Sequence, residues 1–511
     1  MHLNRRKFLM LGGTFTGAVL LSQCASDSKT RSTISQSSRP QLVSNSKDVS
    51  EYIGTKKLTS KNGQLDVTLD ARYGEVNLID RQARLFNYNG LVPGPRLEVQ
   101  PGDRVRLQFI NNLPEATNLH YHGLHIPPTG NADNIFLNIA PGEKFTYEFT
   151  IPQDHRAGTF WYHPHLHGST ARQLFRGLAG TIVVRGELDE IPEVKSAHEE
   201  FLVIKDFSID DDGEIVTPSN HMVQMAGREG SLLTVNGKSN PTFAIPSGGL
   251  LRWRIAIANA SPSRFYRLSL ENHPFYLIAT DGGSLSEPVE MSQILLTPGE
   301  RVDVLIRGDR EPGRYRLFNL PYDRGSMGMM GDGGMMGRGR GMMGRWRNRN
   351  NNSDSTEVLA TLSYDGKTQT QSLPQKLIPV ETLPEPQTTK RFSMNHSMSP
   401  GRGMVFLING NAFDPQRTDT QAQLNTVEDW EITNTGMFDH PFHLHTNYFQ
   451  IISRNGQPET LNAWKDTVLV PIGETVRIRI PFRDFTGKTV YHCHILDHED
   501  LGMMGVVEIS G

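Results

Sequence analysis

The chain has 511 residues, with 52 basic and 55 acidic side chains and a formal net charge of −3. At roughly 150 residues per domain this length suggests about three domains. Its 37% hydrophobic content excludes wholesale disorder, the balanced charge excludes the basic excess of a nucleic-acid binder, and two cysteines exclude a disulfide scaffold or a zinc-finger array.

In residues 1–24, Arg5, Arg6 and Lys7 precede an apolar run from Phe8 to Leu21, too short and too glycine-bearing for a membrane span of ~20 residues. The pattern is that of an export signal. The paired arginines resemble a twin-arginine signal, a route for proteins already folded around their cofactors. Leu21-Ser22-Gln23-Cys24 resembles a lipoprotein processing site, although Gln23 departs from the small residue expected there. Cys24 is therefore a candidate for lipid anchoring, and a periplasmic or other extracytoplasmic location is expected. Residues 25–50, rich in Ser, Thr, Gln and Asn, read as a flexible tether.

Beyond the tether the chain repeats itself. An Asn-Gly pair occurs at Asn89-Gly90, Asn236-Gly237 and Asn409-Gly410. Each is followed 22 to 25 residues later by a strand ending in Asn: LQFINN (Asn111 and Asn112), WRIAIAN (Asn259) and WEITN (Asn434). A turn and an alternating strand come next in each copy, from Pro141, Pro298 and Ile472. Alternating apolar and polar residues predict half-buried strands, with Pro-Gly turns between them. The expected fold is all-β, with three consecutive two-sheet sandwich domains at 51–190, 191–375 and 376–511. The second carries a glycine- and methionine-rich insertion, 325–350, expected to be a mobile surface loop.

Four short segments hold eleven of the 18 histidines. They are HYHG (His120, His122), WYHPHLHG (His163, His165, His167), HPFHLH (His440, His443, His445) and HCHILDHEDLGM (His492 to Met503). On a strand, residues i and i+2 share a face, so His120 with His122, His163 with His165 and His443 with His445 can point together. Imidazole favours copper, zinc and iron. The last segment selects among them. Cys493 lies between His492 and His494, with its sulfur on the opposite face. With His440, His498 and Met503 it supplies a His-Cys-His plane and an axial thioether, the donor set of a blue copper site. The strand then forms a short electron path to whatever His492 and His494 bind. His125, His155, His198, His221, His273 and His396 receive no role, nor does His167.

Over residues ~55–511 the four motifs, HxHG, HxH, HxxHxH and HCHxxxHxxxxM, resemble those of the multicopper oxidases, which include laccases and cuprous oxidases. The resemblance implies three cupredoxin-like Greek-key β-sandwich domains and four copper ions: one type 1, one type 2 and a type 3 pair. It assigns His440, Cys493, His498 and Met503 to type 1, and His120 and His443 to type 2. One type 3 copper receives His122, His163 and His492; the other receives His165, His445 and His494. Four one-electron oxidations of substrate would then reduce O₂ to two waters. The four protons also required point to nearby acids. Glu499, after His498, resembles the family's proton donor, and Asp133, eleven residues after His122, is the second candidate. The type 1 edge at His498 is expected to be partly exposed, and the protein to be a monomer.

Met327, Met329, Met330, Met335, Met336, Met342 and Met343 crowd the insertion, where no core exists for them to fill. Exposed thioethers select Cu(I), and such insertions resemble those of bacterial cuprous oxidases. Met394, Met398 and Met404, around His396, form a looser set. The segment Arg324 to Arg349 has six arginines and one aspartate, a net +5 that opposes a cationic substrate. The expected activity is Cu(I) oxidation in copper tolerance, with oxidation of small phenolic reductants as the alternative. A copper nitrite reductase would lack the HCH arrangement. A structural relative without copper would have lost ligands, and a copper-storage protein would not need the clustered histidines.

Overall fold

Among the described residues, six sheets pair into three sandwiches. The computed structural model describes residues 56–217, 225–257, 261–325, 355–399, 401 and 403–511. The export segment, Cys24, the tether and the seven methionines from Met327 to Met343 lie outside these residues.

The repeated Asn-Gly pairs have one physical origin. All three adopt left-handed backbone at both positions, with φ of 56° and 78° at Asn89-Gly90, 55° and 74° at Asn236-Gly237, and 53° and 76° at Asn409-Gly410. This is the two-residue turn that matches strand twist, and Asn followed by Gly tolerates it best. The asparagine then does a second job in each copy. Its side-chain Oδ1 accepts the backbone N–H of Asp70 (2.6 Å), Val203 (2.9 Å) or Ser393 (2.8 Å), stitching the turn to a neighbouring strand. The strand-ending asparagines also have a shared role: buried Asn111 donates to the Ile139 carbonyl (2.8 Å) and buried Asn434 to those of Phe438 (2.8 Å) and Val470 (2.9 Å).

Each sandwich encloses its own apolar core, gathered around Phe109 and Tyr147, around Trp253 and Tyr266, and around Trp430 and Phe442. Two of the six sheets position the histidines. In the first sandwich the order is Lys57–Thr59, Gly94–Val99, Gly180–Val184, Gly158–His163, His120–His122, which places His120 opposite His163. In the third it is Thr420–Gln423, Met504–Ser510, Gly487–Cys493, His440–Leu444, Thr467–Val470, which places His443 opposite His492. The histidine strands are thus brought into facing register within each sheet.

Short helices fasten the sandwiches together. The N-terminal turn of helix Thr170–Phe175 donates its Thr170 and Ala171 amides to the Asp500 carboxylate (3.1 and 2.9 Å). At the other end the Lys205 ammonium donates to the Leu174 carbonyl at 2.8 Å. These hydrogen bonds cap both ends of the helix, so residues of the second and third sandwiches hold a helix of the first. From helix Leu496–Asp500, Asp497 pairs with Arg228, which donates to it at 2.6 to 3.1 Å.

Candidate metal centre

The ten candidate histidines are all buried, and they gather into compact donor sets. His120, His122 and His443 form one, His122, His163 and His494 a second, and His165, His445 and His492 a third, each with donor atoms within 4.8 Å of one another. His492 Nε2 lies 3.1 Å from His165 Nε2 and 3.0 Å from His445 Nε2. This corrects the expected division of the HCH pair. His492 belongs with His165 and His445, and His494 with His122 and His163. The cause is sheet register: pairing of His443 with His492 fixes which neighbours each imidazole can reach.

The far nitrogens of these rings are tied down by the protein. His120 Nδ1–H donates to Asp133 (2.9 and 3.0 Å), His163 Nδ1–H to the Pro164 carbonyl (2.8 Å), His443 Nδ1–H to the Asp466 carbonyl (2.9 Å) and His492 Nδ1–H to the Cys493 carbonyl (2.9 Å). Such bonds fix the tautomer and the orientation of a metal-binding imidazole. Meanwhile Nε2 of His120, His163 and His443, Nδ1 of His122 and both nitrogens of His494 are buried without any partner. Orphaned buried acceptors are costly, and ions between the rings would satisfy them. Burial pushes His163 down to about 3 and holds His120, His122, His165, His445, His492 and His494 well below the ordinary imidazole value, so these rings are neutral and ready to bind metal.

The second centre lies one residue away. Cys493 Sγ is 3.4 Å from His440 Nδ1 and 3.8 Å from His498 Nδ1, and the two nitrogens are 3.2 Å apart. Met503 is fully buried beside them, its backbone closed onto Cys493 and His498. The Ile495 amide donates to Cys493 Sγ at 3.4 Å. Burial raises the Cys493 thiol well above its ordinary range, so metal uptake must release its proton. Two imidazoles, a thiol and a thioether suit copper.

His498 is not at the surface, contrary to expectation. It is fully buried; its Nε2–H donates to the Met225 carbonyl at 2.9 Å, and Phe406 stacks on its face with centroids 3.8 Å apart. Met225 comes from the segment between strands His198–Phe207 and Leu232–Val235 of the second sandwich, which no local pattern near His498 could reveal.

Family comparison decides the affiliation. Three multicopper oxidase matches cover residues 70–189, 198–331 and 381–510. The chain belongs to the multicopper oxidase family. It is 29% identical over 463 residues to "Multicopper oxidase mco" of Staphylococcus haemolyticus, covering 88% of this chain and 89% of that protein. It is 27% identical to a Bacillus subtilis laccase, covering 84% and 90% respectively. Among solved structures, a Campylobacter jejuni multicopper oxidase described as a metallo-oxidase superposes with a TM-score of 0.77 at 32% identity, covering 89% and 94%. As a multicopper oxidase, the protein is an oxidoreductase that uses copper, O₂ and a reducing substrate.

The two candidate acids stand in different settings. Asp133 is buried against His120 and accepts the Tyr121 amide (2.9 Å); burial pushes its carboxyl up to about 8. Glu499 is fully buried. Its Oε1 lies 3.4 Å from Nδ1 of the more exposed His167, and its Oε2 has no partner.

Sequence reasoning missed the charged wall of the cluster. Asp466 lies 3.3 Å from His122 Nε2 and is gripped by Arg301, whose Nη1 and Nη2 each donate at 2.7 Å. Burial opposes the charge on Asp466, but Arg301 outweighs it and holds the carboxyl well below its usual range. Arg301 comes from the second sandwich, which supplies no ligand. Nearby, Gly299 (φ +90°) packs so tightly that a Cβ would sit 2.9 Å from the His494 ring. The turn Pro298 to Arg301 was legible as a turn, but nothing in it announced a partner 165 residues away.

Proposed function

We propose that this multicopper oxidase is a cuprous oxidase, exported and acting in copper tolerance, with four copper ions per chain. One would sit at His440, Cys493, His498 and Met503, one at His120 and His443, and a pair in the two histidine triads. Bound there, copper supplies one-electron acceptance at the cysteine site and four-electron reduction of O₂ to water at the histidine cluster.

The observation that carries the substrate reading is the covered His498. Met225 and Phe406 close its edge and face, so a bulky phenol has no ring edge to touch, whereas a small ion needs only a few donors. The methionines from Met327 to Met343 supply thioethers of the type that selects Cu(I). Glu499 is proposed to deliver protons from the His167 side. Asp133, which sets the His120 tautomer, is the second acid. Arg5-Arg6 and Cys24 support export and lipid anchoring of a monomeric enzyme; no helix among the described residues is long and apolar enough to cross a membrane.

Steady-state O₂ uptake tests the substrate. Deleting residues 326–344 is expected to lower Cu(I) oxidation much more than oxidation of an organic dye. An equal loss on both would refute the cuprous reading and favour oxidation of small phenolic reductants.

A further inference from the structure

The hairpin formed by strands Thr388–Ser399 and Gly403–Ile408 lies over the cysteine centre, and its inner face is built unlike an ordinary core face. Register places Met398 directly opposite Met404, His396 opposite Phe406 and Met394 opposite Ile408. Residues at i, i+2 and their cross-strand partners share one face. That face is the buried one: Met394, Met404, Phe406 and Ile408 all belong to the core around Cys493 and Met503. Yet at its open end Met398 is 68% exposed, the most exposed of the large hydrophobic side chains among the described residues. A thioether held in water opposite a buried one is poorly explained by packing.

His396 links this end to the metal centre. Its Nδ1 is buried and has no hydrogen-bond partner. The point where a Cβ on Gly436 would sit is 3.5 Å from His396 Nδ1 and 3.2 Å from His440 Nε2, which is also unpartnered. The absence of a side chain at Gly436 leaves those two nitrogens facing one small space. Phe406, opposite His396, stacks on His498. From solvent inwards the face therefore runs Met398, Met404, His396 with Phe406, then His440 and His498.

We propose that this hairpin end is a docking site for a soft monovalent metal ion, with Met398 and Met404 as thioether ligands and His396 as the imidazole ligand. The site deepens the cuprous reading and rests on it for the ion's role as reductant. Two thioethers and an imidazole make a donor set that prefers Cu(I) over harder ions. A docked Cu(I) would give one electron to the Cu(II) that His440, Cys493 and His498 would hold and leave as Cu(II); four such electrons with four protons would convert O₂ to two waters. No bond to the protein other than coordination forms or breaks. The route bypasses the closed edge of His498, because it approaches through the opposite ligand, His440, and the Phe406 face.

Silver(I), a redox-inert counterpart of Cu(I), is the probe. The copper-loaded full-length protein is titrated calorimetrically beside its Met398→Leu/Met404→Leu and His396→Gln variants, with the blue absorbance confirming that each retains an intact cysteine centre. Met398→Leu alone serves as a further variant, since that exposed side chain supports no core. The expected result is one fewer tightly bound silver ion in the double variant. The ratio of kcat/KM for Cu(I) to that for an organic dye is expected to fall about tenfold or more. Unchanged silver stoichiometry, or an equal fall on both substrates, would overturn the site. If the unaltered protein oxidises no Cu(I) but the variants still lose one silver ion, the cuprous reading fails and the docking site stands.

Discussion

Arg301→Met probes the unforeseen part of the centre. Arg301 and Asp466 are each 1% exposed, and the pair is bidentate at 2.7 Å. Arg301 also donates to the carbonyls of Thr159 (3.1 Å), Gly299 (3.1 Å) and Asp281 (2.8 Å), so one side chain joins all three sandwiches beside the cluster. Removing one member of such a pair leaves a buried uncompensated charge and costs about 3–5 kcal/mol. Removing both charges should cost less, because no lone carboxylate remains. The assay is denaturant unfolding of the copper-free protein, where no metal shifts the equilibrium by mass action. Arg301→Met should lose about 3–5 kcal/mol, and Arg301→Met/Asp466→Asn should recover part of that loss. A single variant within about 1 kcal/mol of the parent, or strictly additive costs in the double, would refute the argument.

Three further outcomes are expected. Glu499→Gln keeps the shape of the side chain but removes its acid, so O₂ reduction should slow about 100-fold or more with the blue absorbance intact; unchanged turnover would remove Glu499 from proton delivery. Gly299→Ala forces a Cβ to 2.9 Å from the His494 ring at a backbone φ of +90°, so the spectroscopic signature of the histidine cluster should change while that of the cysteine centre does not. Asp497→Ala strands the buried Arg228 and should cost about 3–5 kcal/mol in unfolding experiments; a neutral effect would mean that this clasp is dispensable.

What could be read in the sequence was what local chemistry dictates. Asn-Gly announced its turns because few other pairs tolerate two successive left-handed residues, and the copper-type donors announced themselves because Cys493 sits between two histidines with Met503 downstream. What could not be read depended on register or on distant segments. Whether His492 or His494 joins His165 is decided by strand pairing between His443 and His492. Arg301 reaches Asp466, and Met225 caps His498, only through the packing of one sandwich on another. His396 had a methionine-rich setting in the sequence but no visible target, because its neighbour across the gap is the bare backbone of Gly436.

Copper analysis combined with electron paramagnetic resonance tests the central claim most directly. Four copper ions per chain are expected; a type 3 pair held by the His122–His163–His494 and His165–His445–His492 triads would be spin-coupled and silent, leaving half of the copper detectable. Fewer than four ions in fully loaded protein, or a resonance signal accounting for all the copper, would contradict the account.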